Sequence, residues 1–277
     1  MLGALLVVLL GARTARPVPT AVDVALYGII VLLTLYVAHL RDSLVDTYER
    51  PQLPDAPQGG WWDHGGRLSE RQLRVALSVT ILALWGTVAL LVIERHITPL
   101  IVVPVGYATA LGLAYSPWLD THPGSITLSY PSGVVAAYLG AVLLGGGILP
   151  EQAGTALALC LLFGCHLSGG KALSDLLDLE EDALLGKRTL GRVLGKSATE
   201  RVGLGLLVTP HLLIALAVLA SWLPMGWLPL LVLGAALALV TTLQVQAGRL
   251  LEGIFVSVLG AYLMVGLLLW WWPGGIS

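Results

Sequence analysis

The chain has 277 residues, 56% of them hydrophobic and only 12% charged, with a mean hydropathy of +0.85. A soluble domain carries about 25% charged residues, so this composition excludes a water-soluble globular protein and predicts an all-α membrane protein forming a single integral-membrane domain over 1–277. The net charge of −2 rests on few, local basic residues, so no nucleic-acid partner is expected.

The chain opens with an apolar stretch, MLGALLVVLLGA at 1–12. Twelve helical residues cover only about 18 Å, so it is expected as a short or truncated first membrane helix. It has no basic residue before it and no small-residue cleavage pattern, and so does not read as a secretory signal. Apolar segments long enough to span follow at 22–40, 73–93, 98–116, 131–150, 153–174, 202–222, 226–245 and 253–272; a span needs about 20 residues. Nine membrane helices are therefore expected. Residues 47–70, with Pro51, Pro54, Pro57 and the Trp61–Trp62 pair, read as an irregular loop until Ser69. Ser69 with Gln72 three residues on predicts a capping box. Residues 115–130 read as a loop without Lys or Arg, and 183–201 as a glycine-containing basic loop. Cys160 and Cys165 lie in one apolar segment and read as buried free thiols.

Charge orients these segments. Twelve of the 15 Lys and Arg residues fall in or beside the loops after the second, fourth, sixth and eighth helices, against Arg13, Arg16 and Arg95 on the other side. By the positive-inside rule the first side is cytoplasmic, in a multi-pass protein of the cell membrane.

Two acidic runs of matched spacing end apolar segments on that side: His39-Leu40-Arg41-Asp42-Ser43-Leu44-Val45-Asp46, and Asp175-Leu176-Leu177-Asp178-Leu179-Glu180-Glu181-Asp182. On a helix, positions i, i+3 and i+7 fall within an arc of about 60°, so each run points one way. One reading is two ordinary solvated helix ends. The other is that Asp42, Asp46, Asp175, Asp178 and Asp182, which would repel one another if aimed at a shared space, hold cations between them. Mg²⁺ suits them, because it binds oxygen through one or two carboxylates plus substrate phosphates. Lys171, Lys187, Arg188 and Arg192 flank the second run and are placed to take the remaining phosphate oxygens. Glu180 and Glu181 lie off the arc. Tyr36, one turn before His39, and Tyr107, Tyr115 and Trp118 on the fourth helix are aromatic candidates for a cation–π wall if a carbocation forms; packing or interfacial anchoring is the plain alternative for each. There is no zinc-ligand spacing, Walker loop, nucleophile elbow or dinucleotide fingerprint.

The stretch DLLDLEEDALLGKRTLGRVLG at 175–195 resembles the second signature of the UbiA superfamily of membrane prenyltransferases. Asp175, Asp178, Asp182, Gly186, Lys187, Thr189 and Leu190 carry the likeness. Asp42 and Asp46 match the last two acids of the family's first signature, Ala38 and His39 replacing its Asn-Asp start. GRLSERQLRVAL at 66–77 resembles the opening of the family's third helix. The resemblance implies a ring of nine helices around a central, lipid-accessible cavity. An isoprenyl diphosphate would be held at the cytoplasmic mouth by Mg²⁺ and the two aspartate motifs, ionise to an allylic cation, and be attacked by a lipophilic acceptor. Two positions depart from the pattern. His39 stands for an acid and is expected to hydrogen-bond a phosphate. Tyr115 fits the Tyr of a Tyr-x-x-x-Lys element, with Leu119 in place of its Lys and Asp120 following. A terpene cyclase on the same scaffold is the alternative enzyme, and a cation transporter or channel the alternative of another class.

Overall fold

A computed structural model describes residues 2–49, 68–116, 118, 119, 122, 125–147, 150, 153–184 and 187–270, and no strand occurs among them. The helices are α1 (Leu2–Thr14), α2 (Ala21–Leu44), α3 (Glu70–Ile93), α4 (Val102–Ala114), α5 (Ser125–Leu143), α6 (Ala153–Ser174), α7 (Leu179–Leu184), α8 (Leu190–Leu194), α9 (Lys196–Leu219), α10 (Leu228–Gln246) and α11 (Leu250–Trp270). The stretch at 50–67, Asp120 and Gly186 lie outside the described residues.

Among the described residues six helices are long and apolar enough to cross a membrane: Ala21–Glu49, Glu70–Ile93, Ala153–Ser174, Lys196–Leu219, Met225–Gln246 and Leu250–Leu269. The expected count of nine is not reached by that measure. The apolar helices Leu5–Thr14, Pro99–Ala114 and Pro131–Leu143 are shorter, falling below the roughly 20 residues a span requires. The fifth span ends seven residues before its expected limit. Gly145, Gly146 and Gly147 follow α5, and Gly146 and Gly147 take φ of 93° and 141°, conformations that stop a helix and suit glycine. The loop expected at 183–201 instead holds α8 and the first turn of α9.

Both ends of the α2–α3 hairpin are pinned. Thr20 caps α2: its hydroxyl accepts from the Asp23 N–H at 3.3 Å, and the Asp23 carboxylate accepts from the Thr20 N–H at 3.3 Å. The same buried carboxylate meets Arg95 Nε at 2.8 Å, tying the start of α2 to the end of α3. At the other end Arg41 forks onto Glu49 at 2.8 and 2.9 Å, and Arg74 reaches Glu70 at 2.7 Å and Glu49 at 3.4 Å. The capping box predicted at Ser69 forms, with Gln72 Oε1 accepting from the Ser69 N–H at 2.8 Å.

Helix neighbours run α3–α2–α4–α5–α6–α9–α10–α11, and α1 packs on α2, α5 and α11. One apolar cluster, around Leu84, Ile101 and Val105, joins α2, α3, α4 and α5. A second, around Tyr138, Phe163 and Trp227, joins α1, α5, α6 and α9 to α11. Leu82, Leu157, Val232 and Phe255 point outward and stay largely exposed, as suits a lipid-facing surface without a polar coat. Cys160 and Cys165 are free and half-buried.

Helices α6 and α9 approach closely at Gly169, where a Cβ would stand 2.6 Å from the Gly203 carbonyl oxygen. Small residues let membrane helices approach this way. Gly169→Leu is expected to pry the pair apart at a cost of about 1–3 kcal/mol, read as a lower unfolding temperature in detergent; an unchanged temperature would mean the two backbones separate without loss.

Candidate active site

The matched acidic runs depart from single straight helices, in different ways. In the first, α2 carries His39 and Asp42 and then widens into a π-helical turn over Val45–Glu49, which contains Asp46. π-turns of this kind are frequent at functional sites. In the second, α6 ends after Ser174. The chain tightens, with the Leu176 and Leu177 N–H groups bonding the Leu173 and Ser174 carbonyls, and α7 restarts at Leu179. Asp175 therefore leaves one helix, Asp178 stands at the kink and Asp182 lies on the next. The local cause is legible: Asp178 precedes α7 as an N-cap type residue, and Glu180 and Glu181 favour the positive end of a new helix.

The end of α2 and the last turn of α6 border one end of a cavity of about 390 Å³ between α2, α4 and α5. His39 and Asp42 from α2, Tyr115 just past α4, Ser129 from α5 and Lys171 from α6 line that end, and the remaining wall is almost wholly apolar. Ser116 donates a hydrogen bond to Asp42 Oδ1. Lys171 Nζ lies 2.6 Å from Oδ1 of Asp175, whose side chain is buried. Lys187 Nζ lies 3.4 Å from Asp46 Oδ2, and the Lys187 N–H donates to the Asp182 carbonyl at 2.9 Å. The two runs therefore meet through Lys187. Asp178 and Arg188 are exposed. Arg192 braces the backbone, its Nη1 donating to the Asp182 carbonyl at 3.1 Å and to the Lys187 carbonyl.

Burial pushes the Asp175 carboxyl above the usual carboxylate range, against the pull of the Lys171 ammonium and with Asp182 and Asp178 adding to the rise. Burial does the same to Asp182, against the pull of Lys187. Among the described residues no three His, Cys, Asp or Glu side chains gather closely enough to chelate one ion by themselves. The donor set still fits Mg²⁺. Its atoms are hard oxygens, Asp175 Oδ2 is buried without a hydrogen-bond partner, and Mg²⁺ takes only one or two carboxylates when phosphates supply the rest.

Residues 65–252 match the model of the UbiA prenyltransferase family. The chain belongs to this family. The match takes in the second acidic run and starts beyond the first. In fold, the UbiA chain is similar to a UbiA homolog from Archaeoglobus fulgidus bound to GPP and Mg²⁺, at 15% identity and TM-score 0.70, covering 96% of this chain and 95% of that one. It is similar to an apo UbiA homolog from Aeropyrum pernix K1 at 14% identity and TM-score 0.75, covering 95% and 94%. A digeranylgeranylglyceryl phosphate synthase resembles it at 13% identity and TM-score 0.67, covering 99% and 92%. No curated protein matches it in sequence.

Within this UbiA fold, two aromatic expectations are not met by the cavity wall. Tyr36 and Tyr107 are 41% and 47% exposed and do not line it. Trp118 is also exposed. Tyr27, Thr34, Ser116 and Ser129 were not singled out in the sequence. Tyr27, Val31, Thr34, Ala38 and Asp42 recur at three- and four-residue steps, and stepping back from Asp42 along its own helix face finds them.

Proposed function

We propose that this chain transfers the prenyl group of an isoprenyl diphosphate to a lipophilic acceptor, in a Mg²⁺-dependent reaction at the cytoplasmic face of the cell membrane. One observation carries the reading: a single cavity has Asp42, His39 and Lys171 at one end and an apolar wall behind them, with Lys171 paired to Asp175 of the second run and Lys187 joining that run to Asp46. The homolog bound to GPP and Mg²⁺ and another structure bound to DMAPP and Mg²⁺ support it.

Asp42, Asp46, Asp175, Asp178 and Asp182 are the residues that would hold Mg²⁺. Bound there, the ion neutralises the diphosphate and stabilises it as a leaving group. Lys171 and Lys187 pair with Asp175 and Asp46, and their ammonium groups would turn to phosphate oxygen when the metal takes those carboxylates. Arg188 and His39 supply further donors at the mouth. Arg192 braces the Asp182–Lys187 loop through Nη1 and stands beside the other basic residues proposed to take phosphate oxygens. Tyr115, at the junction of mouth and wall, offers its ring to the allylic cation; geometry favours it over Tyr36 and Tyr107. The apolar wall excludes water that would quench the cation.

Purified protein supplied with a prenyl diphosphate, Mg²⁺ and a lipid extract is expected to release pyrophosphate and to form a prenylated lipid seen by mass spectrometry. Chelating the metal should stop release. Absence of pyrophosphate release with every chain length and acceptor would defeat the proposal, and a cyclic product made without acceptor would mark cyclisation instead.

Acid sensitivity follows from the two buried carboxyls. A raised Asp175 or Asp182 takes up its proton at higher pH than an ordinary aspartate, near 3.9, and a protonated carboxyl is a poor Mg²⁺ ligand. The Mg²⁺ needed for half-maximal turnover should therefore climb on acidification while the pH is still above the ordinary aspartate range. Mg²⁺ titrations at stepped pH check this; a requirement flat down to that range would remove both residues from the metal site.

A further inference from the structure

Resting on the reading above, we infer that Tyr27 is the floor of the donor tunnel and limits the prenyl chain to about four isoprene units. The tunnel follows one face of α2 from Asp42 at the mouth through Ala38, Thr34 and Val31 to Tyr27. At a rise of about 1.5 Å per residue, that stripe is about 22 Å long. Each isoprene unit adds four carbon–carbon bonds of about 1.5 Å, or about 5 Å once their zigzag is allowed for. Four extended units therefore run from the carboxylates to the Tyr27 ring.

The floor is held from behind. Tyr27 is 1% exposed, and its ring end abuts α5 at Gly140. A Cβ at Gly140 would collide with the Tyr27 hydroxyl and stand 2.6 Å from its Cζ. The ring therefore has no space to retreat toward α5 when a longer chain presses on it. The same contact gives two opposite handles: shortening Tyr27 deepens the tunnel, while adding a methyl to Gly140 drives the ring up into it.

The test measures binding and turnover separately, using the full chain in lipid nanodiscs with Mg²⁺. Non-hydrolysable geranyl, farnesyl, geranylgeranyl and geranylfarnesyl thiolodiphosphates are titrated, and the cognate diphosphates are assayed for product. Affinity should rise up to geranylgeranyl and fall at least about tenfold at geranylfarnesyl, since a fifth unit can enter only by displacing the packed Tyr27 ring or lifting the diphosphate off its donors. Tyr27→Ala should restore the longest ligand, Gly140→Ala should move the drop down to geranylgeranyl, and Tyr27→Phe should leave it in place. A wild-type series without a drop, or a drop that neither Tyr27→Ala nor Gly140→Ala moves, overturns the floor even where turnover is robust. A movable drop without any product leaves the floor standing and removes the enzymatic reading. Failure of every ligand to bind overturns both.

Discussion

Asp178→Ala is expected to lower pyrophosphate release about a hundred- to a thousandfold, the range seen when one charge-stabilising group is lost from a transition state, while leaving the unfolding temperature nearly unchanged. Asp178 suits this test better than its neighbours. It is exposed, and among the described residues its side chain makes no hydrogen bond or ion pair. Its removal therefore orphans nothing, unlike removal of Asp175, which would take away the carboxylate paired with Lys171 at 2.6 Å. It also relieves repulsion, because Asp178 raises the carboxyls of both Asp175 and Asp182. Any small loss from the start of α7 is offset by that relief, and surface changes of this kind usually stay within about 0.5 kcal/mol. A metal role predicts a second sign, a higher Mg²⁺ concentration for half-maximal rate. If Asp178 merely ends a helix in water, turnover and Mg²⁺ requirement both stay at wild type, and that result would take Asp178 out of the site.

The parts of this molecule legible in its sequence are those governed by one segment at a time. The limits of α6, the capping box at Ser69 and the pairing of two acidic runs on one side follow from hydropathy, a four-residue signal and charge. What was misread depends on how segments sit against one another. A helical wheel relates Tyr36 to His39 but does not say how α2 is rotated toward α4. His39 sits at the edge of the inward stripe that runs from Tyr27 to Asp42. Each further step of three residues moves about 60° round the helix, which carries Tyr36 outward. The wheel also assumes an unbroken helix, and neither acidic run has one. The break at Asp178 had a local signal in the acids that follow it, whereas the π-turn at Asp46 had none. Arg192 is legible in the sequence only as a basic residue near the second run, not as a brace of its loop. Its capture by two carbonyls is a product of the loop's path. Tunnel depth was out of reach in one dimension, because Tyr27 becomes a floor only through Gly140 on another helix.

Lys171→Met is expected to destabilise the metal-free protein and to make its stability depend on Mg²⁺. Asp175 is 1% exposed, and Lys171 is the ion-pair partner it has, at 2.6 Å. Breaking a buried pair by removing one partner costs about 3–5 kcal/mol, because the surviving charge is left uncompensated. Lys171 is itself 29% exposed, so water screens part of the interaction and the lower end, about 3 kcal/mol, is the appropriate expectation. The second oxygen of Asp175 already lacks a hydrogen bond, so the carboxylate has no other partner to fall back on. A divalent ion supplies what the ammonium did. Adding Mg²⁺ together with a non-hydrolysable prenyl thiolodiphosphate, whose phosphates complete the ion's ligands, should therefore raise the unfolding temperature of Lys171→Met more than that of wild type, by linkage to the folded state alone. Lys171→Arg keeps the charge and should recover most of the metal-free stability. Two results separate a substrate-binding lysine from a purely structural one. A structural lysine gives a Mg²⁺-rescued variant with wild-type KM for the prenyl diphosphate. A lysine that turns to phosphate gives a rescued fold with a KM raised about tenfold or more, the weight of one charge-assisted hydrogen bond. Equal stabilisation of variant and wild type by Mg²⁺ with the thiolodiphosphate would place the ion away from Asp175 and overturn its assignment as a ligand.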